Sequence, residues 1–415
     1  MVDLDVLTLA ESAFISVLGY FICRHLIREY TPVFIQRNMA GRDLCKKNSG
    51  PIPEPMGIIC AIVWMTCQSI FLPLPFLQWT MSEQEFPHAK FYGFLSAQLS
   101  ISSAVMLGFV DDMLDLRWRH KLLFPTLSTL PVLMIYYLSG NSTTVILPPL
   151  LRSIVSPYLG EVPGCLDISF FYYIYMGMLI VFSTNSINIY AGVNGLEVGQ
   201  SIVVAASVLL FNFIQLYRME TEAWCHSISI YILLPFLTTS IALYSFNQYP
   251  ARVFVGDTYC YWAGMTLAVA AILGHFSKTM ILFLVPQVAN FLYSIPQLFK
   301  LVPCPRHRLP KYDPESDKLG MSYAEFKSGS LNAGGRMVIS VLSSLRLMHR
   351  EEFKKDGEKW TRVNNMTVIN LMLLFVGPVH EATLTNCLLL LQLVFSVFGF
   401  AIRFGLASMI YNVVN

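Results

Sequence analysis

The sequence predicts an all-α polytopic membrane protein of about ten transmembrane helices, with a small cytoplasmic subdomain between the last two. Three observations predict it. Of 415 residues only 13% are charged, about half the usual share of a soluble domain. Residues of the AVILMFWYC set reach 55% and the mean hydropathy is +0.55, more than a water-facing surface tolerates. The apolar residues also gather in runs of roughly 20, the length of one helical span. A soluble enzyme, a disordered chain and a nucleic-acid binder are excluded together, and a net charge of +2 calls for no acidic partner.

In chain order the runs fall near 7–27, 57–77, 91–110, 121–138, 168–187, 197–217, 227–246, 258–275, 279–299 and 384–410. Each is read as a helix because a backbone in lipid must bond itself. No basic residue precedes the first run, and Arg24 and Arg28 follow it, the reverse of a cleavable signal. It is therefore read as a retained span. An even count places both termini on one side, and basic residues mark the cytoplasmic side. Of the 28 Lys and Arg, 23 lie in 24–47, 117–121, at Arg252 and in 300–362. That face is assigned to the cytoplasm and both termini to the lumen. Domain boundaries follow: a nine-helix membrane domain over 1–300, a cytoplasmic substrate-binding insertion over 301–383, and a final span with a lumenal end over 384–415.

The nine cysteines include no CxxC pair and sit mostly in apolar runs, so they read as buried packing residues. The Cys304 to His307 spacing lacks the second pair that a structural zinc site needs. Two sequons separate by side. Asn141 of Asn-Ser-Thr faces the lumen and Asn365 of Asn-Met-Thr the cytoplasm, so a glycan is expected at Asn141 alone.

In a chain this poor in charge, polar residues at helix ends carry the information, and here they share the cytoplasmic face. Span three ends in Asp111, Asp112 and Asp115, where adjacent aspartates oppose the helix dipole. Asp112 and Asp115, three apart, can share a helical face. Arg117-Trp-Arg-His-Lys121 leads into span four, with Lys121 nearest the apolar run. Span five ends in Asn185 and Asn188, followed by Gly192, Asn194, Gly195 and Glu197. Those glycines permit a tight turn where backbone approaches a ligand. Span eight opens with Arg252-Val-Phe254-Val-Gly-Asp257, and Pro303-Cys-Pro-Arg306-His307-Arg308 follows span nine. Arginine forks suit phosphate oxygens. Hard oxygen ligands beside Lys and Arg make the composition of a magnesium and diphosphate site.

These stretches resemble the polyprenyl-phosphate N-acetylhexosamine-1-phosphate transferase family over nearly the whole chain. Asp111-Asp112-x-x-Asp115 matches its DDxxD, Asn185-x-x-Asn188 its paired asparagines, and Val253-Phe-Val-Gly-Asp257-Thr its second acidic motif. Ala191 and Arg306-His307-Arg308 stand where the bacterial cell-wall members carry an aspartate and a histidine triad, so the eukaryotic, dolichol-using branch is the nearer likeness.

That resemblance implies transfer of N-acetylglucosamine 1-phosphate from UDP-N-acetylglucosamine to dolichyl phosphate in the endoplasmic reticulum membrane, the first lipid-linked step of N-glycosylation. It implies Mg²⁺ on Asn188 and Asp257, and Lys121 and Arg306 on phosphate oxygens. Asp111 and Asp112 could act as base, orient Lys121 or complete the metal shell; orientation is favoured, because a phosphate with a second pKa near 6 hardly needs a base. Asn194, Gly192 and Phe254 would receive uracil; Trp118, His307 and Arg308 would read the sugar. The 38–54 loop, with Asp43 and Leu44, would flank the lipid headgroup and donor entrance, and Glu54 would close it. A homodimer is left open. So are two other readings: a relative using another UDP sugar, and a transporter, which the missing internal repeat disfavours.

Overall fold

The computed structural model describes residues 6–46, 50–81, 85–147, 149, 152–153, 156–157, 164–218, 223–305, 307–355 and 357–406. The expected lumenal placement of both termini concerns residues outside these. The membrane part begins with α1 (Val6–Gln36), a two-stranded β1 (Ala40–Gly41) and β2 (Ile52–Pro53), and α2 (Gly57–Phe71) continued by α3 (Leu74–Met81). It continues through α4 (His88–Leu114), α5 (Trp118–Ser128), α6 (Leu130–Leu138) and a hairpin of β3 (Thr144–Ile146) with β4 (Cys165–Asp167). Then come α7 (Phe170–Ile189), α8 (Leu196–Arg218), α9 (Ala223–Asn247), α10 (Gly256–Leu273), α11 (Ser277–Phe283) and α12 (Val285–Leu298).

Among the described residues, eight helical segments are long and apolar enough to cross a membrane, and α11 with α12, bent by 71°, makes a ninth. The remaining expected span, the eighth, near 258–275, is α10, which is not among them. Its reason is its position. Every residue from Thr258 to Ile272 is buried, with α4 and α7 packed along it and α2 and α9 beside it. A helix ringed by helices needs no lipid-facing side chains, and 18 residues still reach about 27 Å. The fourth expected span is two helices, α5 and α6, with Pro125 and Pro131 on either side of the break. Outer helices carry the opposite pattern: Phe14, Phe21, Met106, Leu390, Val397 and Phe398 are exposed, as lipid contact allows.

Interior polar groups repair the helices that proline interrupts. Pro235 lies within α9 and cannot donate to the Tyr231 carbonyl. Gln68 Nε2 of α2 donates to that oxygen at 2.8 Å, and Trp64 Nε1 to Ile232 O at 3.0 Å. The cysteines mostly pack as expected, but Cys165 and Cys304 are exposed, because both lie in connections and not in spans.

The insertion before the last span comprises a β5 (Lys311–Asp313) and β6 (Lys318–Gly320) hairpin, then β7 (Tyr323–Lys327), α13 (Ala333–Ser344), β8 (Arg350–Lys355) and β9 (Glu358–Asn364). The last three strands form one antiparallel sheet in the order β7-β9-β8. Short α14 (Val368–Val376) leads into the last span, α15 (Glu381–Phe400), which ends in a π turn over Ala401–Leu406. The insertion is bonded to the end of α12: Asn290 accepts from Val368 N at 2.9 Å, Ser294 donates to Met366 O at 2.8 Å, and Gln297 Nε2 donates to Asn365 Oδ1 at 2.9 Å.

Candidate active site

Two close approaches assemble the site. A Cβ on Gly108 of α4 would lie 2.6 Å from Thr258 Cα, so only glycine lets the end of α4 touch the start of α10. At Gly256, φ is +73° and a Cβ would lie 2.2 Å from Pro55 Cβ, so glycine alone makes this turn. Asp112 then sits at the α10 N-terminus. Its Oδ1 accepts from Asp257 N at 2.7 Å, and its Oδ2 from Thr258 N at 2.8 Å and from the Thr258 hydroxyl. Both oxygens are committed to fixing Asp257, with a favourable charge at a helix N-terminus.

Asp111 is 2% exposed and does different work. Its Oδ1 accepts from Leu116 N at 3.0 Å, and its Oδ2 pairs with Lys121 Nζ at 3.0 Å. Lys121 Nζ also lies 3.0 Å from Asp257 Oδ2, and Asn188 Nδ2 lies 2.5 Å from Asp257 Oδ1. Four residues from α4, α5, α7 and α10 thus meet at one point. Asp115 does not join them. The helix ends at Leu114 and Asp115 turns out with φ 47°, so the face shared with Asp112 that its spacing allows is lost.

A polar cavity of 230 Å³ opens beside this point, lined among others by Asp43, Leu44, Glu54, Asn188, Gly192, Asn194, Glu197, Phe254 and Asp257. An apolar groove of 1960 Å³ is bounded by Leu122, Leu130, Tyr137, Met178, Asn185 and Phe299, with Leu122 next to Lys121 in the chain and Asn185 one helical turn from Asn188. The asparagine pair divides between them: Asn185 donates to Val181 O and faces the groove, while Asn188 faces the cavity. An amide and a carboxylate side by side are the hard oxygen donors that Mg²⁺ takes, so Asn188 and Asp257 fit a metal pair. The acidic cluster of Asp43, Cys45 and Glu381 does not, because the Lys46 ammonium already lies 2.8 Å from Asp43 and burial pushes the Cys45 thiol up to about 12.

Above the cavity, the turn of Gly192 (φ +121°) lies against Leu309, next to His307 and Arg308. His307 is exposed. Arg308 is half-buried; its carbonyl accepts from Asn370 Nδ2 at 3.1 Å, and its Nη1 is buried with no hydrogen-bond partner among the described residues. Burial pushes that guanidinium pKa down. Arg306 lies outside the described residues, as does the side chain of Trp118, at which α5 begins.

The family described as glycosyl transferase family 4 matches residues 94–275. A protein of Schizosaccharomyces pombe is 40% identical over 96% of this chain and 92% of its own length. Others from Saccharomyces cerevisiae and Dictyostelium discoideum are 39% and 38% identical, covering 96% and 95% of this chain and 91% and 89% of their own. The chain belongs to glycosyl transferase family 4. All three relatives are named UDP-N-acetylglucosamine–dolichyl-phosphate N-acetylglucosaminephosphotransferase. The stretch matched to glycosyl transferase family 4 holds Asp111, Asp112, Lys121, Asn188, Asn194 and Asp257; Asp43, Glu54, His307 and Arg308 lie outside it and are spanned by the full-length relatives.

Sequence reasoning missed Lys46 and Glu381, and named Glu197 without giving it a role. Lys46 Nζ donates to Asn194 Oδ1 at 2.7 Å, Glu197 Oε1 accepts from Gly192 N at 3.2 Å, and Glu381 Oε1 accepts from Asn194 N at 2.7 Å. Glu381 meets the criterion that singled out Asp257, an acid at the end of a span. Lys46 was counted with the topogenic charges, which hid it.

Proposed function

We propose that the protein transfers N-acetylglucosamine 1-phosphate from UDP-N-acetylglucosamine to dolichyl phosphate, releasing UMP, at the cytoplasmic face of the endoplasmic reticulum membrane. The observation that carries this reading is the pairing of a small polar cavity, lined by Asn188 and Asp257, with a large apolar groove lined by Leu122, Asn185 and Ile189, chain neighbours of Lys121 and Asn188. A polyprenyl chain suits the groove and a nucleotide sugar the cavity, so their phosphates meet at the Lys121, Asn188 and Asp257 cluster. A phosphate oxygen of the acceptor bonds to the sugar-bearing phosphorus of the donor, and the bond from that phosphorus to the oxygen of UMP breaks.

No protein nucleophile is required, because both reactants arrive activated. Positioning and charge therefore dominate. Lys121 meets phosphate oxygens, oriented by Asp111, and Asp112 holds Asp257 in place. Asn188 and Asp257 would hold Mg²⁺, which when bound neutralises charge on the donor diphosphate. Asn194 and Phe254 receive the uracil, and His307 and Arg308 the sugar. The unpartnered Nη1 of Arg308 supports this, since a buried donor without an acceptor costs about 1–3 kcal/mol that a bound oxygen would recover.

Purified protein with radiolabelled UDP-N-acetylglucosamine, dolichyl phosphate and Mg²⁺ tests the proposal. Label should become lipid-extractable and stop with EDTA. Equal turnover of UDP-glucose, or label that stays in water, would overturn the assignment.

A further inference from the structure

We propose that Glu381, the first residue of the last span, is a positioning residue that sets donor affinity by holding Asn194 in the nucleotide cavity. This rests on the reading of the 230 Å³ cavity as the donor site. Asn194 stands in a turn between Gly192 and Gly195, whose φ values are +121° and +82°. Glycines in that region give the turn little stiffness of its own, so its shape depends on bonds from outside. Two come from α15: Glu381 Oε1 accepts from Asn194 N at 2.7 Å, and Thr385 Oγ1, one helical turn on, donates to Asn194 O at 3.0 Å. The backbone N–H and C=O of Asn194 are both gripped by one helix. Glu381 is 3% exposed and does not line the cavity, so it acts through Asn194.

The Asn194 side chain is correspondingly constrained. Its Oδ1 accepts from Lys46 Nζ at 2.7 Å and from Ala251 N at 2.8 Å, and its Nδ2 donates to Asp43 Oδ2 at 3.1 Å. The Ala251 N–H can meet only an oxygen, which fixes the amide orientation. One N–H of Nδ2 remains for a ligand, and it demands an acceptor, as a uracil carbonyl is and a cytosine amino group is not. Releasing the turn from Glu381 would let this donor drift. Glu381 is also where the insertion re-enters the membrane part: Val379 bridges Leu319 of β6, and the His380 ring packs on Tyr249 at 4.6 Å between centroids.

Steady-state kinetics of Glu381→Ala, Glu381→Gln and Thr385→Val, with Asn194→Ala as control, tests the proposal. Loss of the acceptor leaves the buried Asn194 N–H unpaired and predicts a rise of about 10- to 100-fold in donor KM for Glu381→Ala, with kcat and dolichyl phosphate KM nearly unchanged. The preference for UDP- over CDP-N-acetylglucosamine should fall with it. Gln retains the acceptor oxygen and should restore most of the affinity, while Thr385→Val should give a smaller rise in donor KM. Should Glu381→Ala fail to fold, the Gln and Val variants carry the same comparison. If Asn194→Ala raises donor KM while the Glu381 and Thr385 variants leave KM and base preference alone, Glu381 has no such role. If Asn194→Ala itself leaves donor KM unchanged, the cavity reading fails and the proposal with it.

Discussion

Replacing Asp112 by Asn separates a positioning role from a proton-transfer role. The carboxylate takes three hydrogen bonds from the first turn of α10: one from Asp257 N on Oδ1, and two from the Thr258 N–H and hydroxyl on Oδ2. An amide has one oxygen. Its best orientation keeps the two Thr258 bonds and turns an NH₂ toward the Asp257 N–H, which loses its acceptor. A hydrogen bond to a charged group contributes about 1.5–3 kcal/mol, and a negative charge at a helix N-terminus about 0.3–1 kcal/mol more. The loss is then about 2–4 kcal/mol, or roughly 30- to 1000-fold in rate if all of it reaches the transition state. Because the group that moves is Asp257, the half-saturating Mg²⁺ concentration should rise, the melting temperature in detergent should fall, and the pH profile should keep its shape. A kcat lowered by about four orders of magnitude with Mg²⁺ dependence and melting temperature intact would show Asp112 to be a general base and refute this account.

Lys121→Met should lower kcat roughly 10²- to 10³-fold, since it leaves Asp111 and Asp257 without their shared cation; turnover within threefold of wild type would sink its assignment. Burial, followed by the charges of Asp112, Asp257 and Glu197, pushes the Glu54 carboxyl up to about 7. A raised carboxyl contributes stability at low pH and loses it as pH climbs through the folded value. In EDTA, Glu54→Gln should therefore melt like wild type near pH 4.5 and higher at pH 8, by at most about 3 kcal/mol; an equal difference at both pH values would contradict it. Asn365 is 1% exposed and bonded to Gln297 and Ser322, so endoglycosidase should shift the mass of the protein through Asn141 and never through Asn365. Arg308→Met should raise donor KM without lowering the melting temperature, because the buried Nη1 has no partner to lose among the described residues; a destabilised variant with unchanged KM would argue against a donor contact there.

The spans and the face they share were legible because lipid imposes strong rules: a run of about 20 apolar residues, and basic loops on one side. Those rules do not tell where the surroundings are protein. The helix at the centre, α10, was legible as the run near 258–275 but its encirclement by other helices was not, and the break in the fourth span follows from two prolines that a run of apolar letters conceals. Within the site, Asp257, Asn188 and Lys121 stood out as polar groups at span ends, and they do meet. Asp115 looked equivalent to Asp112 by spacing, and only the left-handed turn at the helix end separates them. The partnership of Glu381 with Asn194 crosses 187 residues of sequence, and no local pattern announces a contact of that kind.

The asparagine pair shows how a short motif can serve two ligands that never mix. Three residues on a helix turn the side chain by about 300°, leaving Asn185 and Asn188 about 60° apart around α7. That is too far to face one small ligand squarely and near enough to flank a common wall. Here one asparagine lines the apolar groove and the other the polar cavity. The same economy explains the adjacent aspartates of α4: neighbours on a helix point about 100° apart, so Asp111 reaches Lys121 while Asp112 reaches the start of α10. Had both carboxylates faced one point, their mutual repulsion would have raised one pKa and left one of them protonated. Spread apart, one tethers the cation to the site and the other fixes the helix that carries Asp257, so that the groups meeting phosphate are held from two directions before either substrate arrives.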